Sequence, residues 1–170
     1  RIFLSTGSDR IGALLAQILP DTPDPDLALI HLERYCREGA PPTDPETFQI
    51  LLTLFGFSPY LAESLINDRQ YLPQLLRARR QGASGVEEYR GELARWLRIH
   101  QGEETWDALR TFKRRANMRI ALRDLQRTAS LPEICREISA SADALIQCGL
   151  EMVMADLTER FGRPQAFDET

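Results

Sequence analysis

In the stretch TFKRRANMRIALRDL, Thr111 to Leu125, guanidinium groups recur every four residues, at Arg115, Arg119 and Arg123. An arginine keeps its charge, so such a row has two chemical uses: pairing with carboxylates and carbonyls, or holding an anion such as a phosphate. The direction in which the row faces decides between them. At about 100° per residue, Lys113, Asn117 and Asp124 share one arc and mark the solvent side. Phe112, Ala116 and Ile120 lie on one flank of the arginines and Met118, Leu122 and Leu125 on the other, so the row points inward or toward a neighbour. Acidic residues of adjacent helices, with Glu133, Glu137 and Glu151 as candidates, are the expected partners of a buried ion-pair stripe. The alternatives are a seam with another domain or a phosphate-bearing partner, and side chains that snorkel to solvent.

Few other residues are spaced for chemistry. His31 and His100 have no Ser, Cys or carboxylate constellation around them in the sequence, so no catalytic residue, no cofactor-binding residue and no metal ligand is assigned to this chain. TGSD, Thr6 to Asp9, followed by DPD, Asp24 to Asp26, imitates the phosphate turn and paired aspartates of a metal-dependent transferase. An amphipathic helix separates the two, and Pro25 belongs to a helix start rather than a strand, so helix caps explain Ser8 and Asp24 better. RARR, Arg77 to Arg80, fits the basic end of a helix dipole. Trp96 and Trp106 are expected in a core. Cys36, Cys135 and Cys148 are odd in number and form no C-x-x-C pair, and they read as reduced, packed thiols of a cytoplasmic protein.

The 170 residues carry a formal net charge of −4, which excludes a global bias toward nucleic acid or anionic membrane. Seven basic residues between Arg110 and Arg127 face only Asp107 and Asp124, a local excess that permits a nucleic-acid module. They encircle the helix instead of forming one stripe with stacking aromatics, so nucleic acid is disfavoured. No run approaches the roughly 20 apolar residues of a membrane span, and no signal-peptide layout is present. A start at Arg1 without methionine suggests a piece of something longer.

The elements that must position the arginines are helices throughout. Ser8 opens one that Pro20 closes. Asp24-Pro25, Asp44-Pro45 and Ser58-Pro59 pair a cap with a proline at the first helical position, and the Pro25 helix runs through Leu27, Ile30 and Leu32 toward Gly39. RQYLPQLLRARR is a weaker helix, with Pro73 in its first turn. SGVE, Ser84 to Glu87, and SLPE, Ser130 to Glu133, read as capping boxes. The first opens a helix toward Gly102. The second opens the longest, through Ile134, Ile138, Leu145, Cys148, Met152, Val153 and Leu157 to Gly162 and Pro164. Between them, a stretch free of Gly and Pro predicts one helix of about 25 residues. The expectation is an all-α bundle of seven or eight helices, the last two long and antiparallel. Residues 1–80 form a short-helix subdomain and 81–165 a long-helix subdomain, packed as one globular unit; QAFDET is a tail, and 166–170 lead toward a missing catalytic domain.

LRTFKRRANMRIALRDL resembles the pattern L-R-x-F-[KR]-x-x-x-x-x-R-I-A-x-R-D-L of the bacterial glutamine synthetase adenylyltransferase and adenylyl-removing family. The match falls on Leu109, Arg110, Phe112, Lys113, Arg119, Ile120, Ala121, Arg123, Asp124 and Leu125. LFGFSPYLAESLINDRQYLPQLL resembles the family's F-G-x-S-x-[FY]-L-A stretch. SASADALIQCGLEMVMADLTERFGRP resembles its L-A-D-A-x-[IL] helix and Gly-x-Pro turn, with Ser141 where the family has leucine. Together they span about residues 50 to 165.

The resemblance implies a helical region preceding a nucleotidyltransferase head, taken here as the N-terminal, adenylyl-removing half of a bifunctional enzyme of bacterial nitrogen regulation. One half of that enzyme transfers AMP from ATP to glutamine synthetase, and the other removes it with phosphate to give ADP. The resemblance implies magnesium at paired aspartates of the head, glutamine synthetase and a PII signal protein as partners, and contact with the enzyme's own head. The family's S-D-I-D-L strand would follow Thr170, so this chain alone is expected not to be catalytic. The alternative is an independent helical adaptor or basic-helix nucleic-acid module.

Overall fold

Helix starts are set by short side chains that reach back to bare backbone amides. In the computed structural model, which describes residues 8–37, 39, 42, 44–78, 81–100 and 104–163 and side chains from residue 11 onward, Asp24 Oδ1 accepts from Leu27 N at 2.9 Å. Asp44 Oδ1 accepts from Thr47 N at 2.8 Å, and Ser58 Oγ from Leu61 N at 3.4 Å. Each cap precedes a proline whose missing N–H the first turn does not need. The helices are α1 (Ser8–Ile18), α2 (Pro25–Arg37), α3 (Pro45–Phe57), α4 (Pro59–Asn67), α5 (Leu72–Ala78), α6 (Val86–Ile99), α7 (Thr105–Leu125) and α8 (Leu131–Phe161). Single 3-10 turns at Leu19–Asp21 and Arg69–Tyr71 precede α2 and α5. The described chain is all-α, with eight helices, of which α7 and α8 are the longest. Thr6 and Gly7, the side chains of Ser8 and Asp9, Arg79, Arg80, Gly102, Pro164 and the tail lie outside the described residues.

The chain divides into two units: residues 1–82 with 121–128, and residues 83–120 with 129–170. In the first, α3 is apolar on nearly every side, and Phe48, Leu51, Leu52, Leu54 and Phe55 are fully buried. A helix of that composition must be surrounded. Helices α2 and α4 pack on it, and Gly56 allows a close approach of the segment that leads into α2. A Cβ there would stand 2.5 Å from Thr22 Cγ2 and 2.8 Å from the Asp24 carbonyl oxygen. Across α2, the side chains turned inward are Ala28, His31, Leu32 and Tyr35, while Ile30 is exposed. The helix runs through Leu27, Ile30 and Leu32 as expected, and Ile30 faces outward because His31 and Tyr35 complete the i, i+3, i+4, i+7 stripe that begins at Ala28. His31 Nδ1 donates to the Phe55 carbonyl at 3.1 Å, and Arg34 makes a forked pair with Glu63 of α4.

The second unit is built on Tyr89 and Leu93 of α6, Leu109, Phe112, Ala116 and Ile120 of α7, and Ile134, Ala140 and Ala144 of α8. The backbone of α8 runs closest to α6, and α7 joins the same core through its larger side chains. Helix α8 spans 31 residues, about 46 Å at about 1.5 Å per residue. Between Glu137 and Asp156 its only charges are Asp143 and Glu151. By length and composition it could cross a bilayer, with little of its apolar window buried. This amends the expectation that no segment approaches a span: alanines, cysteine and methionines, individually unremarkable, keep the average apolar.

Candidate functional site

Glu137 occupies the centre of a buried polar cluster. It sits on α8 between Ile134 and Ala140, so the helix that supplies core side chains also carries a carboxylate into the core, and its side chain is 0% exposed. Such a charge must be paired and hydrogen-bonded to be tolerated. Its Oε1 accepts from the Tyr89 hydroxyl at 3.2 Å and from Ser84 N at 3.3 Å. Arg119 Nη2 lies 3.8 Å from the same oxygen.

Arg119 comes to this point from α7, where Phe112, Ala116 and Ile120 are buried in the core. Its Nη1 reaches Glu92 Oε2 at 3.4 Å, its Nη2 reaches Ser84 Oγ at 3.4 Å, and its Cζ stands 5.0 Å from the centre of the Tyr89 ring. The guanidinium is thus charge-balanced by Glu92 and Glu137 and faces an aromatic π-system. Burial pushes the Tyr89 hydroxyl up to about 12, with the Arg119 charge opposing that rise. Tyr89 is therefore a neutral donor to Glu137 across the physiological range.

Arg115, one turn earlier, is half-buried and lies 4.6 Å above the Trp96 ring. Trp96 donates from Nε1 to the Ala108 carbonyl at 2.8 Å and stacks on His100 at 3.6 Å between ring centres. Arg123, one turn later, is buried, and its carbonyl accepts from Thr128 N at 3.0 Å and Thr128 Oγ1 at 3.1 Å. The three arginines therefore meet different surroundings. The cluster around Arg119 has its polar groups turned on one another, an arrangement suited to holding α6, α7 and α8 in place rather than to transferring a proton or a group.

Of the acidic candidates, Glu137 adjoins Arg119, Glu151 lies 3.7 Å from Arg90, and Glu133 accepts from Ser130 N at 3.4 Å at the start of α8. Glu92 was not foreseen. It lies beside Leu93 and one turn after Tyr89 on α6, and that proximity to two core residues is the signal that could have found it. The SGVE box is displaced by one residue. Gly85 caps α6 and donates to Glu88 Oε2 at 2.8 Å, because Ser84 is engaged with Arg119 and Glu137. The expectation of three core cysteines is corrected too: Cys135 is exposed, and Cys36 and Cys148 are half-buried, with thiols pushed up by burial. Trp96 packs on the core, whereas Trp106 is exposed. Among the described residues, no group of three or more His, Cys, Asp or Glu could hold a metal ion.

The family model described as glutamate-ammonia ligase adenylyltransferase matches residues 48–170. Among curated proteins, the chain is 36% identical over 109 residues to the bifunctional glutamine synthetase adenylyltransferase/adenylyl-removing enzyme of Pseudomonas aeruginosa. That alignment covers 63% of this chain and 11% of the relative, so the chain spans about a tenth of that relative's length. No solved structure matches.

Proposed function

The chain belongs to the glutamate-ammonia ligase adenylyltransferase family, and from that premise we propose that it serves as a helical, non-catalytic segment of a bifunctional nucleotidyltransferase that adenylylates and deadenylylates glutamine synthetase. The observation carrying this reading is the match over residues 48–170, which takes in most of α3 and all of α4 to α8. Residues that carry the resemblance also have physical duties: Gly56 lets α3 close on its neighbours, Ser58 caps α4, and Arg119 is embedded beside Glu92 and Glu137. In this reading the arginine row serves the fold at Arg119, and a seam with the enzyme's catalytic head is left to Arg115, whose side chain stays half-exposed.

On the family resemblance, the carboxylate pair for magnesium, and the turn that would hold ATP, or phosphate and ADP, are assigned to polypeptide outside this chain. Placement in the N-terminal, adenylyl-removing half, a cytoplasmic location without membrane attachment, and regulation by a PII signal protein complete the proposal. A nucleic-acid module is disfavoured by the burial of Arg119 and Arg123, which removes two of the seven clustered cations from reach of a phosphate backbone.

The test is ADP release from adenylylated glutamine synthetase in the presence of phosphate and magnesium. This chain alone should match a heat-killed control, and the longer polypeptide encoded by its parent gene should release ADP. Activity in the chain alone, or none of either direction of the reaction in the longer polypeptide, would sink the reading.

A further inference from the structure

Helix α8 has two apolar faces, and among the described residues only one is covered. Ile134, Ala140 and Ala144 point into the core of the second unit. The opposite face carries Cys135, Ile138, Ile146, Leu150, Val153 and Leu157, all exposed. Their spacing alternates steps of three, four and more residues near an 11-residue period, so at about 3.6 residues per turn the stripe follows one side of the helix along most of its length. Near its C-terminal half it joins a groove of about 480 Å³ floored by Trp106, Met152 and Val153 and edged by Glu104, Asp156 and Arg160. A continuous apolar stripe running into a groove has the form of a seat for an amphipathic helix.

The charges beside the stripe narrow the occupant. At about 100° per residue, Asp143 and Asp156 stand roughly 70° to either side of it. Arg160, the cation closest to the groove, is held by Asp156 at 3.0 Å. With Glu104 at the groove edge, three carboxylates stand against Arg160 and, at the far end beside Cys135, Arg136, so the rim is acidic by one charge and most acidic at the groove. A second copy related by a twofold axis would bring like charges together, and an anionic bilayer would be repelled by them. Insertion across a bilayer would also strip Glu137, on the used face of the same helix, from Tyr89 and Ser84. What fits is an apolar helix with lysine or arginine on its flanks. A source is at hand in the same polypeptide: the relative extends far past the aligned region, which makes up 11% of it.

We propose that the outward stripe of α8 seats a basic-flanked amphipathic helix from the rest of the longer polypeptide, with its apolar anchor in the groove at Trp106. The proposal rests on the reading that this chain is a segment of the larger enzyme. Cys135 is a native probe of the seat, since its thiol lies on the stripe and is exposed.

Peptide-resolved thiol labelling of Cys135 in this chain and in the longer polypeptide from the parent gene tests the proposal. Labelling in the longer polypeptide should be at least about tenfold slower, and Ile146→Asp should restore the fast rate there while leaving the rate in this chain unchanged. Equal rates overturn it, as does a parent gene that encodes nothing beyond this chain. Protection of this chain that grows with its own concentration would assign the seat to a second copy. Protection of this chain by phosphatidylglycerol vesicles would assign it to a bilayer, and either result overturns the proposal. ADP release measured on the same preparations keeps the two readings apart: a protected Cys135 in an inactive polypeptide preserves the seat and removes the enzyme, and the reverse result does the opposite.

Discussion

Arg119 of α7 and Glu137 of α8 stand 3.8 Å apart, with side chains 9% and 0% exposed. Neither helix alone could hold its charge in that position, because each group is desolvated by the core that the other helps to build.

Replacing Arg119 by Ala should therefore destabilise this chain by roughly 2 to 4 kcal/mol, since it strands a buried carboxylate. Urea denaturation of the two proteins measures it. A loss below about 0.5 kcal/mol would place the duty of Arg119 outside this chain.

Tyr89 links the same cluster to pH. Its hydroxyl titrates at about 12 in the folded chain and at about 10 when unfolded. The raised value means that its contribution is fully present below pH 10 and is lost as pH rises from there toward 12, by an amount on the order of 2 kcal/mol. Tyr89→Phe, which cannot ionise, should flatten the alkaline slope of stability. It should also cost about 1 kcal/mol at neutral pH through the lost bond to Glu137. An alkaline slope identical in both proteins would rule out the tyrosine as its source.

Gly56→Ala tests the close approach in the first unit. The added methyl would overlap Thr22 Cγ2 and the Asp24 carbonyl, and because one neighbour is backbone, relief requires a helix to shift. A cost of about 1 to 3 kcal/mol is expected by thermal melting. An unchanged melt would mean that the contact yields without strain.

The end of α7 supplies a change of opposite sign. Arg127 has φ of +53°, its N–H bonds the Asp124 carbonyl at 2.9 Å, and Thr128 N bonds that of Arg123 at 3.0 Å. This is a Schellman ending, usually given to glycine. Arg127→Gly should raise stability by about 1 kcal/mol by removing the Cβ penalty. A drop in melting temperature would show that the arginine side chain has a compensating contact.

What the sequence made legible was whatever local chemistry decides. Caps at Asp24, Asp44 and Ser58 each combine a short acceptor with a following proline, and that pairing has few other uses. Helix α8 was less legible because apolar residues occupy both its faces. Periodicity could not tell Ile134, which is buried, from Ile138, which is not. Ser84 misled for a related reason: its hydroxyl suits a cap, but a guanidinium 35 positions away in sequence competes for it. The spacing of Arg115, Arg119 and Arg123 marked them as one set, while the ring above which Arg115 lies and the carboxylates around Arg119 are matters of tertiary packing.

One oxygen of Glu137 gathers Ser84, Tyr89 and Arg119 from chain positions as far as 53 residues away, and this makes the cluster a ruler for alignment. A purely apolar contact between α6 and α8 would tolerate a slide by one turn, since alanines recur along α8. A slide that brought Ser141 to the place of Glu137 would leave Arg119 with Glu92 alone and put a carboxylate against hydrocarbon. That misalignment is penalised while the native alignment is not, so the offset of α8 against α6 and α7 is marked by a single acidic side chain.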